Sequence, residues 1–347
     1  MLYPVPRWIV STPSLSVPTT LEGFPQPWKN GKQTLSLSNR QLVWAAITSG
    51  RIAPSGYIPD SLQFSYSQYD MNNWRLSSCL GFVRPTNDNG PTRLARSAST
   101  EYLETTERSQ ITYAVGSMMA RAFCAFECDL PLMVHSKWLE KTDMIKYQGL
   151  KRPDYVAFDR FSNPVIVEAK GTKRKYDWDA VQTRLRTGDQ VDAVTSVADT
   201  TPIRRIGCAT LMPQKGVIEL YCVDPEYEVE FLVPDFDGIL LSYYGAFSKR
   251  ELERSALLRK CESSLALETR NQESDFVKEE EHQALTLESE ALYAELVTPP
   301  ELVEMLQSLP GENYFRELDY LRSELVRIYP ERLIMPDLTL SLLTTIG

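Results

Sequence analysis

At 347 residues the chain is long enough for two or three domains with a full hydrophobic core, and its net charge is −9. Its apolar stretches fall well short of the roughly 20 residues that a membrane helix needs, so no membrane span is expected. The N-terminus "MLYPVPRWIVSTPSLSVP" is broken by prolines where a signal peptide needs an apolar helix, which predicts a cytoplasmic protein.

Residues 1–99 are rich in Pro, Ser, Asn and aromatics, with short strand-like pieces such as "RWIVS" and "LQFSYSQY" between turn signals, and predict an N-terminal accessory domain. Trp8, Trp28, Trp44 and Trp74 read as its core, with a nucleic-acid-reading or partner-binding surface as the alternative. From residue 100 the pattern changes. Ile111, Val115, Met118, Met119, Ala122 and Phe126 recur at helical spacing and predict an amphipathic helix. Three strands follow, in "PLMVHSKWL", "PDYVAFD" and "PVIVEAKG", the last two separated by "RFSN", a connection that suits a hairpin. "WDAVQTRLRTGDQVDAVTSV" reads as helix, and "IRRIGCATLMP" and "VIELYCVDP" read as strands. Residues 100–245 are therefore expected to form an α/β core, a mixed sheet flanked by helices. Residues 246–347 read as a mostly helical, acidic region, with "SDFVKEEEHQALTLESEALYAEL" before a break at Pro299 and Pro300.

The net charge conceals a regional division. Residues 251–347 hold 20 Asp and Glu against 9 Lys and Arg, a balance of −11, which leaves the rest of the chain at +2. Residues 151–215 hold 12 basic and 8 acidic groups. Local charge decides whether a phosphate backbone is attracted to a face, so nucleic acid is expected at the core and a basic protein partner at the acidic region.

Within the hairpin, Glu168 and Lys170 stand two residues apart in an apolar strand and project from one face, while Val167 and Ala169 project from the other. Burying them without partners would cost several kcal/mol. Asp154 begins the preceding strand, and hairpin pairing would set its carboxylate near that of Glu168. Adjacent carboxylates repel, and a hard divalent cation relieves them. Lys170 would then orient an attacking water or meet charge developing on a phosphate. The bland alternative is an exposed ion pair on an edge strand, worth under about 1 kcal/mol.

Pro153-Asp154 followed by Glu168-Ala169-Lys170, with apolar strands around both acids, resembles the PD-(D/E)xK nuclease superfamily of restriction-endonuclease-like folds. The resemblance covers residues from about 100 to 224. It implies a Mg2+-dependent nuclease, with Mn2+ able to substitute, in which Asp154 and Glu168 hold the metal and Lys170 is the catalytic lysine. It further implies an acid from the preceding helix, Glu107 in preference to Glu104, as a metal ligand. From the later helix Gln182 with Arg186, or else Gln190, is implied to reach the scissile phosphate. Lys173, Arg174, Lys175 and Arg184 are the further nucleic-acid-binding candidates, with Tyr176 or Trp178 offering a ring to a base. DNA is the expected substrate, in bacterial defence or a mobile-element system, with a homodimer or a multiprotein complex as the assembled form. The alternative is a weak or inactive nuclease fold that binds nucleic acid or acts through a partner.

Other chemistries find little purchase. The six cysteines, Cys79, Cys124, Cys128, Cys208, Cys222 and Cys261, show no Cys-x-x-Cys pair and lie mostly among apolar neighbours, the pattern of reduced buried thiols. His135 and His282 have no nucleophile signature near them, and no Walker loop is present.

Overall fold

Strand-forming runs dominate the middle of the chain, and a computed structural model shows how they pair. It describes residues 2–4, 8–11, 14–25, 27–49, 62–87, 90–141, 145–147, 151–159, 163–173, 177–187, 194–197, 204–224, 291–297, 322, 325–327, 333–335 and 340–346. In chain order the elements are β1 (Leu2–Pro4), α1 (Trp8–Ser11), β2 (Ser14–Glu22), β3 (Gly31–Ser38), α2 (Asn39–Thr48), α3 (Leu62–Phe82), β4 (Val83–Thr86), β5 (Arg93–Arg96), a 3-10 turn (Ala98–Tyr102), α4 (Thr105–Phe126), β6 (Leu132–His135), α5 (Ser136–Lys141) and β7 (Ile145–Tyr147). Then come β8 (Tyr155–Phe158), β9 (Pro164–Thr172), α6 (Trp178–Arg186), β10 (Val194–Val197), β11 (Arg204–Leu211), β12 (Glu219–Val223), β13 (Ala291–Val297), β14 (Leu333–Ile334) and β15 (Leu340–Ile346).

The fold is α/β, with a mixed central sheet flanked by helices. Its strands run β4-β5-β2-β12-β11-β9-β8-β6, and β3 also pairs with β2. β9 lies antiparallel to β8 and parallel to β11, β11 is antiparallel to β12, and β12 is parallel to β2. The parallel pair needs a crossover, and the chain between its strands carries α6.

Alternation along the strands separates two faces. Val165, Val167, Ala169, Ile206 and Cys208 belong to the large core, against which α4 packs, with α2 and α3 packed on α4. Ala209, Tyr221 and Val223 look the other way and meet α6 through Leu185, with Trp178 and Val181 alongside. Glu168 and Lys170, out of phase with Val167 and Ala169, therefore belong to the α6 face. On the opposite face α4 and β9 meet backbone to backbone. A Cβ on Gly171 would stand 2.1 Å from Thr112 O, and one on Gly116 would stand 2.9 Å from Gly171 N.

The described cysteines are all free and buried, as their apolar neighbourhoods predict, while Cys261 lies outside the described residues. Cys208 and Cys222 face each other across β11 and β12 with their sulfurs 3.4 Å apart.

Several elements fall differently from the expected ones. From residues 1–99, β2 to β5 enter the central sheet, and Leu15, Val17, Trp44 and Leu80 join the core that α4 covers. "RWIVS" contains α1 and "LQFSYSQY" lies within α3; a short aromatic run fits both periods, and only a longer window separates them. The acidic region expected to be helical contains β13, paired with β1 and β15. Most of that region, including residues 273–290, lies outside the described residues. The predicted helix after residue 178 also ends early, and β10 pairs with β7. No described helix is long and apolar enough to cross a membrane.

Candidate active site

The site forms where the start of β8 lies against the second half of β9. Pro153 is buried. The following carbonyl is held by Ser136 at the start of α5, whose amide donates to Asp154 O at 3.0 Å and whose hydroxyl donates to Pro153 O. Pairing of Tyr155 with Val167 then sets Asp154 opposite Glu168, as the hairpin predicts. Ala169 N donates to Asp154 Oδ2 at 3.0 Å, Asp154 N donates to Glu168 Oε2 at 3.2 Å, and the Lys170 ammonium pairs with Glu168 Oε1. Glu168 is only 2 % exposed, and β9 is paired on both sides. An exposed ion pair on an edge strand is thereby excluded.

Burial, and then the neighbouring charge of Asp154, push the Glu168 carboxyl up to about 7 against the pull of Lys170. Burial also raises Asp154, with Lys170, the Ala169 amide and the Tyr113 hydroxyl pulling it back. One ammonium thus serves two crowded carboxylates, Glu168 buried and Asp154 half-buried, that compete for it. This donor set fits Mg2+, a hard cation held by one or two carboxylates with water completing its shell, and lacks the nitrogen and sulfur ligands that zinc favours.

Among the described residues no third carboxylate, cysteine or histidine completes a metal-binding cluster. Glu107, the expected helix acid, is exposed and accepts from Glu104 N at 2.9 Å in a capping box at the start of α4. The α4 side chain that reaches the site is Tyr113, six residues on, which is about 9 Å along the axis and on a different side of the helix. Its hydroxyl donates to Asp154 Oδ1 at 3.3 Å and stands 3.3 Å from Tyr155 Oη, which in turn donates to Ser117 Oγ at 2.8 Å. Sequence reasoning missed this chain of hydroxyls. Its signal was Tyr113 and Ser117, one turn apart and bracketing Gly116.

Gln182 is half-buried on α6, the helix on the Glu168 and Lys170 face of the sheet, and Arg184 is exposed. Arg186 is held elsewhere: Nε donates to Glu22 Oε1 at 2.8 Å and Nη2 to Glu22 Oε2 at 2.9 Å, while Glu22 also accepts from Tyr221 Oη at 2.7 Å. Its place is a tie between α6 and β2. Lys173 is half-buried just beyond β9, whereas Arg174, Lys175, Tyr176 and Gln190 lie outside the described residues. Trp178 packs edge-on against Tyr221, with ring centres 6.3 Å apart, and so anchors α6. Of the N-terminal tryptophans, Trp44 is fully buried, Trp28 Nε1 donates to Glu127 O at 2.8 Å, and Trp74 is 45 % exposed. Comparison of the chain with family models, with curated proteins and with solved structures found no match.

Proposed function

We propose that the protein is a Mg2+-dependent nuclease that hydrolyses DNA phosphodiester bonds, with the central α/β unit as a restriction-endonuclease-like core of the PD-(D/E)xK type. The observation that carries this reading is the pairing of half-buried Asp154 with buried Glu168, linked through backbone amides, with the Lys170 ammonium on Glu168. Asp154 and Glu168 would hold Mg2+, which supplies Lewis-acid charge at the scissile phosphate when bound; Mn2+ is expected to substitute.

The chain's own groups do the rest. The Ala169 amide and the Tyr113 hydroxyl fix the two Asp154 oxygens, so the carboxylate is oriented before any ligand arrives. Lys170 is 36 % exposed at its side chain. It would donate to an attacking water and meet the charge that grows on the phosphate as a bridging oxygen departs. Gln182, on the same face, is the α6 group suited to hold a phosphate oxygen. A setting in bacterial defence or a mobile element belongs to this proposal.

The test is incubation of purified protein with supercoiled, linear and single-stranded DNA, with and without Mg2+, beside Asp154→Asn, Glu168→Gln and Lys170→Ala. Each variant should lose at least about a hundredfold in cleavage. Mg2+ should raise the Tm of the wild type and of Lys170→Ala, and raise that of the two carboxylate variants much less. Equal cleavage by all four folded proteins would overturn the proposal.

A further inference from the structure

A second group of charges stands at the same end of the sheet, where β9 and β11 finish and β12 begins. β5 docks there: Ala95 bridges Val217, and Ile218 N donates to Leu94 O at 2.7 Å, just before β12 starts. Arg96 ends β5 and is 9 % exposed, and its Nη2 lies 3.7 Å from Glu101 Oε1. Burial lowers the proton affinity of Arg96, Glu101 restores part of it, and the nearby charge of Arg108 lowers it again.

Arg108 belongs to the row of α4 that meets β9. Thr112 Oγ1 donates to Arg108 O, and Thr112 O abuts Gly171, the residue after Lys170. Arg108 is therefore one helical turn, about 6 Å, outward from that contact. Its Nε is buried without a hydrogen-bond partner among the described residues, and Nη2 reaches Thr105 Oγ1 only at 3.4 Å. Arg96 thus has only a long contact to Glu101, and Arg108 keeps a donor left over. Unpaired buried donors are costly, and a planar fork of donors matches phosphate geometry.

The geometry points to a phosphate-binding subsite made by Arg96 and Arg108 that grips the sugar-phosphate backbone of a nucleic-acid strand beside the bond presented to Lys170. That the ligand is a strand rests on the nuclease reading. Tyr102, 93 % exposed on the turn between the two arginines, offers a ring to a neighbouring base.

The experiment measures binding of fluorescein-labelled single-stranded and duplex oligonucleotides to the full chain in EDTA, across a salt series, with cleavage in Mg2+ assayed in parallel. Arg108→Gln should weaken binding about tenfold and reduce the salt slope by about one. Arg108→Lys should keep the slope while losing affinity. Arg96→Gln should repeat the Arg108→Gln result, and thermal melts check that each variant folds. Inorganic phosphate and the labelled strand are compared as ligands: phosphate should raise the wild-type Tm more than that of Arg108→Gln and compete with the strand. If phosphate binding depends on Arg108 while strand binding does not, the subsite serves a free anion and the proposal falls. Unchanged strand affinity and salt slope in folded Arg108→Gln overturn it, as does failure of the wild type to bind a strand. The two readings separate cleanly: weaker strand binding by Arg108→Gln with no cleavage by any protein leaves the subsite standing and removes the nuclease, whereas cleavage with Arg108→Gln binding normally does the reverse.

Discussion

Arg121 and Glu168 are both charged and both buried, yet their surroundings differ in kind. Arg121 is wholly buried in α4; its Nε donates to Thr48 Oγ1 at 3.2 Å, Nη1 to Leu130 O at 3.2 Å and Nη2 to Pro131 O at 2.7 Å, and the guanidinium lies 4.1 Å from the centre of the Trp44 ring. Neutral dipoles and a ring face answer its charge from several sides. Glu168 has an acid for a neighbour and shares its one ammonium with it. A buried charge surrounded by fixed dipoles fastens a fold. A buried charge crowded by its own sign is poised for a cation or phosphate from outside, and such sites are where function concentrates.

The contrast can be broken first at the fastener. Arg121→Met leaves Thr48, Leu130 and Pro131 without their buried donors and should lower stability by about 3–5 kcal/mol in chemical denaturation, while cleavage per folded molecule stays near that of wild type. A variant as stable as the parent would show that Arg121 fastens nothing. Next in size is Gly171→Ala, which must push α4 away from β9 because its Cβ would meet Thr112 O at 2.1 Å. A cost of about 1–3 kcal/mol is expected, together with reduced cleavage as Tyr113 shifts from Asp154. A Tm and an activity both equal to wild type would show that the close approach has no role in the site.

The smallest effect sharpens the acidic side of the contrast. The folded Glu168 carboxyl is raised from its ordinary value of 4.5 to about 7, so between those values the folded chain holds a proton that the unfolded chain has released. Wild-type stability should fall as pH rises through that window, whereas Glu168→Gln lacks this contribution. Relative to wild type, the variant should gain a few degrees of Tm between pH 4.5 and 7, with no further gain above. A difference between the two proteins that is constant with pH would mean that the pair is not crowded.

Much of the site was legible because its logic is local. Alternation in "PVIVEAKG" put Glu168 and Lys170 on one face, and a short connection after "PDYVAFD" required antiparallel pairing, which brought Asp154 to Glu168. Helical spacing revealed α4 but could not say which of its polar residues faces the acids, since that depends on how the helix is rotated against β9. Gly116 and Gly171 set that rotation by letting two backbones touch, and they brought Tyr113 to Asp154 while Glu107 stayed at the helix start.

What the sequence determined by itself was therefore the order α4, β6, β8, β9, α6, β11, β12 and the pairing of two acids and a lysine, because periodicity and a short turn act over neighbouring residues. Tertiary structure alone decided that β2 extends the sheet beside β12 and that Arg186 is held by Glu22. Those contacts join segments far apart in the chain. Backbone edges and side-chain charges carry no local signal of the partner they will find, so only the folded sheet, by bringing its ends together, could select them.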